Sequence, residues 1–336
     1  MRKFDLIKRS KIWLSFSSLL VIASIVSVAT LGLNLGIDFT GGSLLEVAFI
    51  GAEVEEVSDV VAEDEVGETE EAVEEAEVIE EVVEETSLAE VSEEAVRTAL
   101  EEIGYSPIVQ GSGEGELLIR LETISQGQHD TIIETLEGQF GEIDELRFES
   151  IGPVIGEELT RSSIWAIVLL LILIVLYVAW AFRKVSKPIA SWKYGLLTIV
   201  AAAHDVIIPL GVFAVLGTVF GYQVDTAFVA AMLTIMGYSI NDTIVVFDRT
   251  RENLISHRLS DASFASIVNT SVMQSFTRSV NTSLTTLLVL LAIFFFGGET
   301  VQTFVLALII GIISGAYSSL FLASPLLVWW EKRSRR

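Results

Sequence analysis

The sequence has no cysteine and only three histidines and five prolines among its 336 residues. Without cysteine, the chain can form neither a disulfide nor a thiolate metal site, and nothing follows about its redox compartment. Apolar residues are abundant instead, at 51% of the chain with a mean hydropathy of +0.58. Several apolar runs exceed the roughly 18 residues that mark a membrane-spanning helix. The composition therefore predicts a multi-span α-helical membrane protein and excludes an ordinary soluble domain.

Six apolar segments are long enough to be transmembrane helices. The first lies within residues 1–35 and runs from Ile12 to about Leu33. It is longer than the apolar core of a cleaved signal peptide, about 7 to 15 residues, and is predicted to stay as an anchor. The other five form a block over residues 161–330 and are expected at about Ile164 to Phe182, Leu196 to Thr218, Thr226 to Phe247, Val280 to Phe296, and Val301 to Trp330.

Lysine and arginine are absent between Ile12 and Val96, and this absence helps to predict the orientation of the chain in the membrane. Basic clusters precede the first span, follow the second and fourth, and form the tail 331–336. By the positive-inside rule, both termini are expected in the cytoplasm and residues 36–160 outside it. Residues 251–276 are too polar to span and are predicted to form a cytoplasmic amphipathic helix at the interface. The basic clusters are Arg2, Lys3, Lys8, Arg9 and Lys11; Arg183, Lys184, Lys187 and Lys193; Arg249, Arg251 and Arg258; and Lys332, Arg333, Arg335 and Arg336.

The formal net charge of −24 comes mainly from one stretch, since residues 53–94 hold 20 of the 45 acidic residues. Like charges at this density repel one another in a compact state. Residues 51–86 are therefore predicted to be a solvated, mostly disordered insertion. A site for divalent cations is the lesser alternative, because no spacing resembles a calcium loop.

The remainder of residues 36–160 predicts a small α+β domain. A strand near 43–49 is followed, after the insertion, by a helix that opens at the capping box Ser87 to Glu90. Strands near 106–110 and 116–122, a helix after Ser125 and a strand near 142–150 complete a β-α-β-β-α-β order, which is ferredoxin-like. No nucleophile-base pair, metal cluster or phosphate loop appears, so an enzyme is not predicted. His129 is interpreted as a surface or capping residue.

Polar residues inside the apolar spans are the functional candidates, because such groups are costly there and usually face a partner helix or a wet cavity. Asn241 and Asp242 lie in the fourth span, and His204 and Asp205 lie mid-way along the third, followed by Pro209. Either aspartate can be a structural hydrogen-bonding group between helices or a carrier that takes up and releases protons.

Arg278 is predicted to begin the fifth span and to head a polar stripe with Asn281, Thr282 and Thr285. It is either a snorkelling interfacial residue or the basic partner of a membrane aspartate. The stripe follows from helical spacing alone.

Two glycine motifs stand apart from these polar candidates. The first, called here the linker motif, runs from Gly36 to Gly42 and includes Asp38, Gly41 and Gly42. It predicts a tight chain reversal with local hydrogen bonds from Asp and Thr, and a ligand or partner contact is the alternative. The second, Gly311 and Gly315 in the last span, predicts close helix packing.

Several motifs follow one another along the chain, and their order is part of the signal. They are the linker motif, Ala203-His204-Asp205-Val206, the stretch from Gly237 to Asn253, Thr277-Arg278-Ser279, and Tyr317-Ser318-Ser319 through Ala323-Ser324-Pro325. Together they resemble the SecD/SecF family of bacterial protein translocase subunits, within the RND superfamily. The likeness covers the chain except residues 51–86.

The resemblance implies a subunit of the SecF type in the bacterial cytoplasmic membrane. Such a subunit pairs with SecD and assists the SecYEG channel and the SecA motor by using the proton-motive force to draw preproteins outward. It implies protons as the coupling ion, no cofactor and no nucleic-acid partner. The family's membrane acid corresponds to Asp242 and its basic partner to Arg278, with Thr282 beside it. The alternatives are an RND-type exporter of small molecules or lipids and a purely structural translocon scaffold.

Overall fold

The computed structural model of the chain describes residues 5–50, 91–113, 115–181, 190–256 and 262–334. The chain divides into a helical unit, Met1–Gly41 with Gly152–Arg336, and an α+β unit, Gly42–Ile151. Several predicted features lie outside the described residues. They are the acidic insertion 51–86, the capping box Ser87 to Glu90, and the basic residues at positions 2, 3, 183, 184, 187, 258, 335 and 336.

The elements follow in chain order. The first part comprises a 3₁₀ turn Ile7–Arg9, α1 Ser10–Leu31, α2 Ile37–Thr40, β1 Gly42–Ile50, α3 Glu93–Glu102, β2 Ile108–Gly113, β3 Glu116–Leu121, α4 Gln126–Phe140 and β4 Glu142–Ile151. The second part comprises α5 Pro153–Ala181, α6 Ser191–Phe220, α7 Thr226–Ser256, α8 Phe264–Phe296, α9 Glu299–Ser318, a π-helical turn Ser319–Ala323 and α10 Ser324–Ser334.

The α+β unit has the predicted β-α-β-β-α-β element order. Its four strands form one antiparallel sheet in the order β2-β3-β1-β4. Alternate residues of β3 are buried, as in a half-buried strand. They pack with β1 against the inner faces of α3 and α4, and the core residues include Leu45, Val47, Leu100, Ile119, Ile132 and Leu136.

Two local predictions in this unit need correction. Helix α3 begins at Glu93, because the hydroxyl of Ser92 caps it by accepting from the amide of Ala95 at 3.2 Å. Val91 therefore precedes the helix. His129 is 6% exposed and does not lie on the surface. Its ring packs on Phe148, and its nitrogens lie 3.1 Å from the carboxylates of Asp130 and Glu145.

Six helices of the described helical unit are long and apolar enough to cross a membrane, as predicted. Several extend well beyond the predicted apolar cores. Helix α8 has 33 residues, about 50 Å at 1.5 Å per residue, whereas the hydrocarbon core of a bilayer is about 30 Å thick. The polar ends of these helices can therefore project beyond the membrane core without a break in the helix.

This length changes the interpretation of residues 251–276. Residues 251–256 are the last turns of α7, and residues 264–276 are the first turns of α8. The described part of the interval contains no separate amphipathic helix. Because no glycine or proline interrupts residues 264–296, the helix continues across the change from polar to apolar sequence. Arg278 consequently lies near the middle of α8 and not at its beginning.

The last span is also divided. Helix α9 passes through the π-helical turn Ser319–Ala323 before α10 continues the path. Pro325 lacks an amide hydrogen and cannot donate to the carbonyl of residue 321, which removes one α-helical bond at the turn. The hydroxyl of Ser324 lies 3.3 Å from the carbonyl of Ser319.

Glycines allow two close helix contacts in this unit. A Cβ on Gly311 would lie 2.2 Å from Cδ1 of Ile235, and a Cβ on Gly315 would lie 3.2 Å from Cβ of Ser239. The motif in α9 therefore packs on α7 within the same chain. A Cβ on Gly211 would lie 2.3 Å from Cα of Ser24, so α6 approaches α1 at backbone distance.

Candidate functional site

Asp205 lies at the middle of α6 with 0% of its surface exposed. Its carboxylate accepts hydrogen bonds from three serine hydroxyls that come from two other helices. Ser239 of α7 donates to Oδ2. Ser314 and Ser318 of α9 donate to Oδ1 and Oδ2 at 2.9 and 2.5 Å. One buried carboxylate thus joins three helices.

The residues beside Asp205 complete this first site. Nδ1 of His204 lies 2.8 Å from Oδ1 of Asp205, and the imidazole ring stacks on Tyr317 with 6.1 Å between ring centroids. Pro209, four residues after Asp205, has no amide hydrogen for the carbonyl of Asp205. The site therefore stands where α6 has lost one backbone hydrogen bond.

Asp242 forms the second site, in the middle of α7, and is 7% exposed. It accepts two hydrogen bonds. Ser279 of α8 donates to Oδ1 at 2.6 Å, and Ser319, the first residue of the π-helical turn, donates to Oδ2. Because Ser318 holds Asp205 and its neighbour Ser319 holds Asp242, two consecutive hydroxyls connect the two buried carboxylates.

Neither carboxylate forms an ion pair with a lysine or arginine within the described ranges. The predicted partner, Arg278, is exposed on α8, and no ion pair with Asp242 occurs among the described residues. The next residue, Ser279, makes that contact instead. Thr282 is also exposed, and its hydroxyl donates to the carbonyls of Arg278 and Ser279 at 3.0 Å. Asn241 is exposed on α7.

The structure therefore separates the predicted residues into two groups. Asp205, His204 and Asp242 are buried within the helical unit, whereas Asn241, Arg278 and Thr282 face out of it. The five serines that bind the two carboxylates were not predicted as their partners. The available signal was serine at positions 314, 318 and 319, next to the glycine motif of the last span.

The linker motif binds the beginning of α7. Oδ2 of Asp38 accepts from the amide and the hydroxyl of Thr226, the first residue of α7, at 2.8 and 2.5 Å. The amide of Gly36 donates to the carbonyl of Val224 at 2.9 Å. Local hydrogen bonding was predicted for Asp38, but its partner is 188 residues away. Gly41 and Gly42 have φ of 71° and 131°, a region that strongly favours glycine.

A metal site is not evident in the parts of the chain that the structure describes, where no cluster of three potential ligands occurs. The chemistry available at the two sites is that of carboxylates, hydroxyls and one imidazole. These groups can accept, donate and transfer protons.

Comparison with known proteins assigns the chain to a family. Residues 131–333 match the family model described as "Protein export membrane protein SecD/SecF, C-terminal", and residues 26–49 match the "SecD/SecF GG Motif". The protein translocase subunit SecF of Thermobaculum terrenum is 39% identical over 98% of this chain and 94% of its own length. The SecF of Acidaminococcus fermentans is 35% identical over the full length of both chains.

A solved structure is similar as well. The crystal structure of SecDF, a translocon-associated membrane protein from Thermus thermophilus, matches 98% of this chain with a TM-score of 0.76 and 33% identity. This chain spans 39% of that longer protein. The family models, the near-full-length relatives and the shared fold agree, and the chain belongs to the SecF family of protein translocase subunits.

Proposed function

We propose that this chain is an auxiliary subunit of the Sec translocase that pairs with SecD and uses the proton-motive force to promote preprotein export. In this proposal SecYEG and SecA are the channel and the motor that it assists. Protons are the coupling ion, and the chain has no catalytic site, cofactor or nucleic-acid partner of its own. The supporting observation is Asp242, a buried carboxylate in a membrane helix that only two serine hydroxyls bind among the described residues.

Protonation of Asp242 would change the contacts among three elements. The ionised carboxylate accepts from α8 and from the π-helical turn, so it holds both against α7. Once protonated, the carboxyl group is neutral and accepts these hydrogen bonds more weakly, whereas Ser319 keeps its second acceptor, the carbonyl of Ala316 at 3.3 Å. The contacts that join α7 to its neighbours would weaken.

The available energy is sufficient for such a change. Moving one charge through the membrane supplies about 2.3 kcal/mol per 100 mV from the electrical part of the gradient. Coupling free energies between sites are typically about 1 to 3 kcal/mol. One proton per cycle can therefore drive a modest rearrangement of helices.

Helix α7 offers a route from Asp242 to the outer domain. Asp38 binds the first residue of this helix, and only three residues separate Asp38 from the start of β1 at Gly42. A shift of α7 along its axis would therefore pull on the segment that leads into the α+β unit. We infer that this segment transmits the movement to the part of the protein that holds the emerging preprotein.

The contacts of the helical unit favour an orientation with both termini in the cytoplasm. The amide of Leu6 donates to Asn269 at 2.9 Å, and the ammonium of Lys193 donates to Ser334 at 2.7 Å. These residues bring both ends of the chain to the side that carries the basic clusters. In this orientation the α+β unit is extracytoplasmic, and the membrane is the bacterial cytoplasmic membrane.

In this proposal Arg278 and Thr282 face a partner protein, because both side chains are exposed on α8. They lie on an exposed polar stripe of α8 with Asn281 and Thr285. A charged side chain that faces hydrocarbon is costly, so a second helical bundle covering this stripe would stabilise the assembly. The stripe is therefore our candidate surface for SecD.

Export into energised membrane vesicles tests the proposal. The vesicles carry this chain and SecD, and native Asp242 is compared with Asp242→Asn, with and without an uncoupler. We expect the native protein to stimulate export only in coupled vesicles and the variant to give no stimulation at equal abundance. Asp248→Asn is the matched control, because Asp248 is exposed on the same helix and pairs with Arg251 at 3.0 Å.

Two results would contradict the proposal. Stimulation that survives both the uncoupler and Asp242→Asn would indicate a structural scaffold. Purification of the chain with further copies of itself and without SecD would favour an exporter that works as a homo-oligomer.

A further inference from the structure

His204 presents a buried nitrogen that the contacts around it leave unused. The residue is 4% exposed, and its Nδ1 lies 2.8 Å from Asp205. Its Nε2 is buried and has no hydrogen-bond partner in the described parts of the chain. Buried polar atoms are nearly always paired, so an exception calls for a functional or structural reason.

The surrounding donors determine which nitrogen carries the hydrogen. Three serine hydroxyls already donate to Asp205, so this carboxylate acts as an acceptor on both oxygens. The neutral imidazole then donates from Nδ1, because that nitrogen faces Oδ1. Its Nε2 is left with an unshared lone pair, which is the form that accepts a proton.

We propose that Nε2 of His204 is the proton-accepting atom of a second proton-holding site, formed by His204 and Asp205 in the middle of the membrane. This inference rests on the proposed proton-coupled function and adds a residue to it. In the proton transfer, an O–H bond of a hydronium ion breaks, the lone pair of Nε2 forms an N–H bond with the released proton, and a water molecule is left. The neutral imidazole becomes an imidazolium, and no other bond of His204 or Asp205 changes.

The charge of the site favours this step. A fully buried carboxylate without an opposite charge is costly, and no lysine or arginine pairs with Asp205 within the described ranges. Protonation of His204 converts the pair from a net charge of −1 to an imidazolium-carboxylate ion pair with no net charge. The site can thus alternate between two states that differ by one proton.

The neighbouring helices bring few other titratable groups to His204. Helix α9 contributes Tyr317, whose hydroxyl donates to the carbonyl of Trp13 and accepts from Ser17, both of α1. Helix α7 contributes Asp242, three residues after Ser239. Helices α1, α5 and α10 carry their charged residues towards their ends, and Lys193 of α6 lies about 16 Å from His204 along the axis.

The π-helical turn connects this site to Asp242. Ser318 donates to Asp205 and Ser319 donates to Asp242. A change of charge at His204 alters how strongly Asp205 holds Ser318, the last residue of α9, and thereby affects Ser319, the next residue and the first of the π-helical turn. We infer that proton occupancy at the two sites is coupled.

Nitrogen-15 NMR of the chain with SecD in lipid bilayers tests the protonation step. The chain has three histidines, and the signal missing from His204→Asn identifies His204. We expect its Nε2 to move from a bare to a protonated chemical shift as the pH is lowered. A bare Nε2 at every pH at which the complex stays folded would overturn the proposal.

The export assay tests whether the proton held there is used. His204→Asn can keep an amide donor towards Asp205 but has no titratable nitrogen, and we expect it to reduce proton-driven stimulation several-fold at equal abundance. Tyr317→Phe keeps the ring against His204 and should retain the stimulation. Full stimulation in His204→Asn would overturn the proposal even if His204 titrates. If the uncoupler does not reduce the stimulation of export by the native protein, the proposed function is wrong. The NMR titration still decides whether Nε2 accepts a proton.

Discussion

The two buried carboxylates share one helical unit, yet their surroundings differ. Asp205 is fully enclosed and has four hydrogen-bonding neighbours, whereas Asp242 is 7% exposed and has two. Asp205 also faces Gly315, where a Cβ would lie 3.7 Å from its Oδ2. The enclosed carboxylate of Asp205 is suited to holding helices together. In our proposals the protons are accepted by its neighbour His204 and by the less enclosed Asp242.

Two adjacent serines each bind one of the two carboxylates, Ser318 that of Asp205 and Ser319 that of Asp242. Consecutive residues of a helix point about 100° apart, so Ser318 and Ser319 face different neighbours. The π-helical turn starts at Ser319, and such turns within α-helices are frequent at functional sites. The two carboxylates are therefore bound by hydroxyls of adjacent residues that point in different directions at the start of this turn.

The largest expected effect is on stability after removal of each carboxylate. Hydrogen bonds between membrane helices contribute about 0.6 kcal/mol on average and up to about 1.7. At the average value, Asp205→Ala, which removes four, should lower the free energy of unfolding by about 2.4 kcal/mol, and Asp242→Ala, which removes two, by about 1.2 kcal/mol. Thermal unfolding of the purified chain in detergent measures both. Equal losses of unfolding free energy in the two variants would show that the greater burial of Asp205 does not make it the more stabilising carboxylate.

A smaller effect is expected from filling the space beside Asp205. Gly315→Val places a branched side chain against Ser239, where even a Cβ is crowded. Overpacking of this kind costs about 1 to 3 kcal/mol. Gly237→Val is the matched control on α7, because nothing lies within 4 Å of a Cβ there. If both variants unfold at the same temperature, close packing is not what encloses Asp205.

The smallest effect concerns the pairing of each serine with its carboxylate. Double-mutant cycles of Ser318 with Asp205 and of Ser319 with Asp242 should each give a coupling free energy of about 0.6 to 1.7 kcal/mol. The crossed pair, Ser318 with Asp242, should give a smaller coupling free energy, since no hydrogen bond joins these two residues in the described structure and any coupling has to pass through Ser319. Equal coupling in the crossed cycle would mean that the turn acts as one unit.

Much of the fold could be predicted because its signals are local. Apolar runs mark six spans, and the β-α-β-β-α-β order follows from alternation and capping within short segments. The presence of Asp205 and Asp242 inside apolar sequence marked both as candidates. The continuity of α8 was not predicted, because polarity indicates where a helix leaves a membrane and not where it ends.

The sequence by itself determined which segments enter the membrane and which ionisable residues go with them, because burial of apolar surface and the cost of a charge depend on composition. Only the tertiary structure decided what those residues contact. The serines that bind Asp205 and Asp242 lie 34 to 113 positions away along the chain, and Asp38 reaches Thr226 across 188. Periodicity places a side chain on a face of its helix, but the packing of helices selects which face it meets. For that reason Ser279, and not its neighbour Arg278, holds Asp242.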